Sequence, residues 1–283
     1  MGAVLQIPRF AILALTAVLT GLAGLTAALE IAPAVSPPTE SASSTNATVR
    51  PARGGPVLVE LFTSQGCSSC PPADELLSRL AEDPELAGRV VPLAFHVDYW
   101  NRLGWRDPFS DARWSERQRR YSRALGADSV YTPMLVVGGR RHLVGSKERE
   151  VRAAVREALA APARAGLTLS LGEVLDGRFP ATLEARLPEA SRPRRVEAWV
   201  ALWQDGLVTP VGRGENADRT LRNDRVVRRL VRAAAWGADD GPTPRARAIL
   251  ELDPAWSREE LGVAAFLVDP STSEVLGAAS DRL

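Results

Sequence analysis

The chain is 283 residues long, 45% hydrophobic and 24% charged, and its 35 Lys and Arg nearly balance 34 Asp and Glu to leave a net charge of +1. These are the proportions of ordinary globular protein, so wholesale disorder and a multi-span membrane protein are excluded, and the charge balance gives no reason to expect a nucleic-acid partner. The two cysteines, Cys67 and Cys70, lie too close to close a sizeable loop, which excludes a disulfide framework and makes chemistry the better explanation for the pair.

Residues 1–29 read as a signal peptide or an N-terminal anchor. Arg9 precedes a run from Phe10 to Leu29 with no charged residue, and Gly21-Leu22-Ala23 and Thr26-Ala27-Ala28 offer cleavage sites. Left uncut, the run approaches the about 20 apolar residues that span a bilayer. An exported protein is expected, periplasmic or secreted, touching a membrane only through this segment if it is uncleaved. Residues 30–55, rich in Ala, Pro, Ser and Thr, bury too little apolar surface to offset ordering entropy and read as a flexible linker.

A first folded domain is expected over 56–163. Val57 to Phe62 is a short apolar strand that feeds through Thr63-Ser64-Gln65-Gly66 into the cysteines. After them Ala73, Leu76, Leu77 and Leu80 recur with helical spacing, so a helix begins near Cys70. Val90 to Val97 is a second strand and Arg113 to Leu125 a second helix. Met134 to Val137 and Arg141 to Val144 form a hairpin through Gly138-Gly139, and a helix follows from Lys147 to Ala160.

This order, with a C-x-x-C opening the first helix and a proline opening the third strand, resembles the thioredoxin superfamily. More narrowly, Phe62 to Ala73 (FTSQGCSSCPPA) together with Phe95-His96-Val97-Asp98-Tyr99-Trp100 resembles a secreted bacterial thioredoxin-like family of unassigned function. The expected fold class is α/β, a thioredoxin-like domain followed by a mainly antiparallel, sandwich-like β domain.

A thiolate is the attacking species in disulfide exchange, and a helix N-terminus lowers a cysteine pKa. The resemblance implies that Cys67 attacks a substrate disulfide and Cys70 resolves the mixed disulfide. It further implies that Pro133 is the superfamily's cis-proline, preceded by Thr132, and that Glu60 stands where thioredoxins carry a buried acid able to move the resolving thiol's proton. No cofactor and no metal are expected. The expected partners are a protein thiol or disulfide substrate and a redox recycling partner. Pro71 and Pro72 shift the helix start toward Cys70 and leave Cys67 slightly above it.

Two other classes stay open. Cys67, Cys70, His96 and His142 could form a zinc set, although the spacing is unlike that of zinc modules. The scaffold could also serve as a binding protein without turnover. The redox reading requires that the sulfurs be reachable and that the Pro133 strand face them.

Residues 164–283 are expected to form the β domain, with strands at 167–171, 181–187, 196–203, 246–252, 263–268 and 275–279. Gly214-Glu215-Asn216 also resembles the family, without a nucleophile or metal cluster beside it. On a helix Arg219, Arg222, Arg225, Arg228, Arg229 and Arg232 would form a basic stripe; a solvated face is the expected role.

Overall fold

In chain order the computed structural model contains β1 (Val57–Thr63), α1 (Pro71–Glu82), β2 (Val90–His96), α2 (Ala112–Ala124), β3 (Met134–Val137), β4 (Arg141–Val144) and α3 (Glu148–Ala160). There follow β5 (Gly166–Leu171), β6 (Arg178–Arg186), β7 (Val196–Gln204), β8 (Leu207–Pro210), β9 (Thr220–Asn223), β10 (Val226–Trp236), β11 (Arg245–Glu251), β12 (Leu261–Val268) and β13 (Val275–Arg282). The structure describes residues 54–189 and 192–283. The expected leader, and the linker as far as residue 53, lie outside the described residues.

The architecture is mixed α/β, dominated by one large and mainly antiparallel sheet with few helices. Eight strands run in the order β13-β12-β7-β10-β2-β1-β3-β4, joined by two smaller sheets, β11-β6-β5 and β8-β9. Among the described residues only the β2–β1 and β10–β2 pairs are parallel. Every residue of β1 and β2 is buried, as expected of continuous apolar strands covered on both faces. The sheet crosses the expected boundary between residues 163 and 164 by the single register pair Val226↔Ala94, reinforced by Ala94 N donating to Arg225 O at 2.8 Å.

Alternation along the strands sorts the core into two faces. Val59 and Leu61 of β1 pack with Leu76, Leu77 and Leu80 of α1 and Val151 and Val155 of α3. Leu58 and Phe62 point the other way, to Trp114 and Tyr121 of α2 and to Phe95, Trp203 and Phe266. The β11-β6-β5 sheet covers β7 and β12 through Phe179, Leu183, Val200, Leu202, Val263 and Leu267. Burying a side chain such as Phe62 or Leu76 stabilises the fold by roughly 1.5–3 kcal/mol relative to exposure.

Strands β8, β9 and β10 were not expected. β10 carries Arg228, Arg229 and Arg232 of the arginine series, and its register slips between Val227 and Arg229 and again between Arg232 and Ala234. Each slip breaks the period of two by which a strand is read from sequence. The arginines form no free stripe, because they leave both faces of a strand and each has a partner. Arg225 stacks 4.0 Å from the Trp203 ring centroid, Arg228 lies over Phe109 and Trp256, Arg229 lies over Trp256, and Arg232 pairs with Glu197 at 3.0 Å. Arg222 pairs with Asp224 at 3.2 Å, and Arg219 donates to Asn216 Oδ1 at 2.9 Å.

Candidate redox site

Cys67 and Cys70 are joined by a disulfide in the turn that leads from β1 into α1, with Cα atoms 5.5 Å apart. Cys70 is the N-cap residue of α1, and Pro71 and Pro72 fill its first turn, where proline loses no intrahelical hydrogen bond. Cys67 therefore sits before the helix. Its neighbourhood is set by three segments from distant parts of the sequence.

The first is the turn before β3. The Thr132–Pro133 peptide is cis, and Thr132 Oγ1 donates to Cys67 Sγ at 3.2 Å. Gly145, whose amide donates to the Pro133 carbonyl at 2.9 Å, has no room for a side chain, since a Cβ there would meet Leu61 Cδ1 at 2.8 Å and Ala73 Cβ at 3.1 Å. The second segment follows β2. Trp100 Nε1 donates to Thr132 Oγ1 at 2.8 Å, so the threonine hydroxyl accepts from the indole while it donates to sulfur.

The third is the loop between β8 and β9, which turns at Gly214 with φ +77. There Asn216 Nδ2 donates to Gln65 O at 2.9 Å and Cys67 O at 3.0 Å, and Glu215 accepts from Ser68 N at 3.0 Å. The Ser68 hydrogen bonds lower the Glu215 pKa. Gln65 ties the loop's hairpin to the turn, donating to Asn223 Oδ1 at 2.8 Å and Thr209 Oγ1 at 3.1 Å. The outcome is a closed mouth. Both cysteines are 0% exposed, while Ser68 and Ser69 between them are exposed.

Two polar clusters flank β1. Glu60 points to the α2 face, where Arg117 Nε donates to its Oε1 at 2.6 Å and the Tyr121 hydroxyl donates to its Oε2. The structure thus places Glu60 in a closed ion-pair cluster, on the face of β1 opposite α1. Burial and the Glu60 charge push the Tyr121 pKa well up, and Glu60 raises that of Arg117 against the opposing effect of burial.

On the α1 face, Thr63 and His96 are register partners at the C-terminal ends of β1 and β2. Asp74, one turn beyond Cys70, is buried on the inner side of α1 and donates its amide to the Cys70 carbonyl at 3.1 Å. His96 Nδ1 meets Asp107 Oδ2 at 2.7 Å, both side chains fully buried, and Asp107 also accepts from Gln65 N at 2.8 Å. Burial pulls the His96 pKa down, but Asp107 outweighs it and the net shift is upward. For Asp107 the charge and hydrogen bond of His96 overcome burial and lower the pKa. Burial raises Asp74 to about 7, with His96 opposing.

Asp74 lies outside the site residues expected from the sequence. Its position was available: residues 70, 73, 74 and 77 share one helical face, so a carboxyl at 74 points inward with the leucines. Glu215 and Asn216 were marked only by the family resemblance and Asp107 by nothing local, because only the tertiary fold brings them near the cysteine turn.

His142 bonds the Tyr131 hydroxyl at 3.0 Å and His96 bonds Asp107, so the four residues of the zinc alternative are engaged elsewhere. Among the described residues no group of three His, Cys, Asp or Glu is placed to hold a metal ion. Among the same residues no helix is long and apolar enough to cross a membrane.

A family model described as a protein of unknown function (DUF1223) matches residues 58–268. No curated protein matches the chain. Among solved structures, a structural-genomics target protein of Agrobacterium tumefaciens is similar at 27% identity, with a TM-score of 0.59 over 81% of this chain and 95% of that one. HBP35 of Porphyromonas gingivalis is similar in fold at 15% identity and the same TM-score of 0.59, over 82% of this chain and 76% of that one.

Proposed function

This chain belongs to the DUF1223 family, and from that premise we propose that it is an exported thiol-disulfide oxidoreductase, its first region a thioredoxin-like unit worked by the Cys67–Cys70 pair. The observation that carries the reading is the Thr132 hydroxyl bonded to Cys67 Sγ at 3.2 Å, with Pro133 in cis beside it. A hydroxyl aimed at the first sulfur of a C-x-x-C pair stabilises the thiolate that exchange requires. The order β2-β1-β3-β4, with α1 and α3 on one face and α2 on the other, supports the thioredoxin-like assignment.

The chemistry moves two electrons between a partner dithiol and this disulfide. A partner thiolate attacks Cys67 Sγ, a mixed disulfide forms, the Cys67–Cys70 bond breaks and Cys70 leaves as a thiolate. The partner's second thiolate then expels Cys67, leaving the partner oxidised and the pair reduced. Reversal returns the electrons to a substrate disulfide. Attack on Cys67 requires the segments around it to open, since the residue has no exposed surface.

That same burial favours a second reading, a binding protein whose disulfide stays closed. Thiol trapping across dithiol redox buffers, with insulin reduction as the activity assay and Cys67→Ser as control, separates the two. Reversible interconversion and an activity lost in the variant support the oxidoreductase. Sulfurs that stay oxidised at every accessible potential leave the binding protein.

A further inference from the structure

Thr63 Oγ1, Asp74 Oδ1 and His96 Nε2 are buried without a hydrogen-bond partner among the described residues. Leaving such groups unmade is costly, and three together on one face of the β1–β2 pair are more than packing requires. All three lie on the side of the sheet covered by α1, the helix that Cys70 caps. Asp74 is the nearest of them to Cys70 in the chain, one turn along the same helix, and helical side chains lean back toward the N-terminus.

Opening the disulfide makes Cys70 a thiolate in a buried site, where its charge is unfavourable and a proton must reach it. Resting on the oxidoreductase reading above, we infer that Asp74 is the group that gives this proton to the Cys70 sulfur when the Sγ–Sγ bond breaks and takes it back when the bond re-forms. In the forward step the partner thiolate forms a bond to Cys67, the electron pair of the broken bond goes to Cys70, and the Asp74 proton follows it. Asp74 is left as a carboxylate.

The surroundings suit the task. Burial holds the Asp74 carboxyl protonated up to about pH 7, while His96, fixed by Asp107 and with its pKa shifted upward, favours the carboxylate once the proton has left. The Thr63 hydroxyl facing the carboxyl also lowers the Asp74 pKa, the charges of Asp107 and of Glu75 on α1 raise it, and Arg228 of β10 lowers that of His96. Behind α1, Ser78 donates to Asp224 at 2.7 Å, which engages the charge at the end of β9. Glu60, on the other face, is committed to Arg117 and Tyr121.

The test is the rate of Cys67–Cys70 reduction by dithiothreitol, expressed per reductant thiolate, followed from acid to alkaline pH for the full chain, Asp74→Asn and Glu75→Gln. The wild-type rate should fall about tenfold per pH unit above 7 as Asp74 loses its proton. The Asp74→Asn rate should be flat and, at pH 6, about a hundredfold below wild type, the lower end of general-acid contributions. Glu75→Gln should keep the full rate at pH 6 and the shape of the wild-type profile, with the fall beginning at slightly lower pH because one charge that raises the Asp74 pKa is gone. A wild-type rate that does not change through pH 7, or an Asp74→Asn profile matching wild type, overturns the assignment while leaving the oxidoreductase reading intact. A wild-type disulfide that resists the reductant at every pH overturns both.

Discussion

On the α2 face of β1, Glu60 is met by a guanidinium and a phenol and no atom of the cluster lacks a partner, whereas on the α1 face Asp74, His96 and Thr63 each retain an orphaned atom. Both faces bury carboxyls at comparable depth, Glu60 at 1% and Asp74 at 7% exposure. A carboxylate fixed between Arg117 and Tyr121 ties α2 to the sheet and has no spare valence for chemistry. An orphaned carboxyl with its pKa moved to about 7 is poor at holding a fold together and well suited to exchanging a proton. The contrast teaches that two carboxyls at similar depth can differ in whether their hydrogen-bonding capacity is met, and it is the unmet one that the proposal above puts to use.

The comparison breaks first at the sulfurs. Cys67→Ser is expected to abolish disulfide exchange entirely, and insulin reduction measures it; retained activity would detach both polar clusters from any redox role. Next in size is Glu60→Gln, which strands the buried Arg117 charge. It should destabilise the fold by about 3–5 kcal/mol in urea titration, yet leave the exchange rate of the folded fraction unchanged. A slowed rate at full folding would move the acid function back to the α2 face.

Asp74→Asn should do the opposite to stability. The folded carboxyl binds its proton up to about pH 7 while the unfolded one releases it near 3.8, so wild-type stability falls as pH rises through that window. Removing the carboxyl therefore stabilises the protein at pH 8 by on the order of 2–4 kcal/mol and changes little near pH 4. Denaturant melts at the two pH values check this, and equal effects at both would sink it. The smallest change is expected from Asn216→Ala, which leaves the carbonyls of Gln65 and Cys67 without their donor at a cost of about 1–3 kcal/mol. By loosening the loop over Cys67 it should speed reduction by a small dithiol, and a slower reaction would mean that the loop positions the sulfur.

Much of the site was legible as sequence. A C-x-x-C between an apolar strand and a proline-started amphipathic helix fixes where the sulfurs go, because each neighbouring element follows from local periodicity. Thr132 and Pro133 were legible only through the thioredoxin resemblance, which implies a proline at the head of that strand. Glu60 was legible as a buried strand acid, but its partners were not, since Arg117 and Tyr121 are brought to it by the docking of α2 across the sheet.

By itself the sequence determined the cysteine pair, the strands β1 to β4 and the three helices, all features whose spacing is local and whose hydrophobic period is unbroken. Only the tertiary structure decided that β10, with its two register slips, would join β2 and carry the sheet across both regions, and that a loop some 150 residues away would close over Cys67. The physical reason is the same for each: a side chain's periodicity says which way it points, but only the folded sheet says what meets it there.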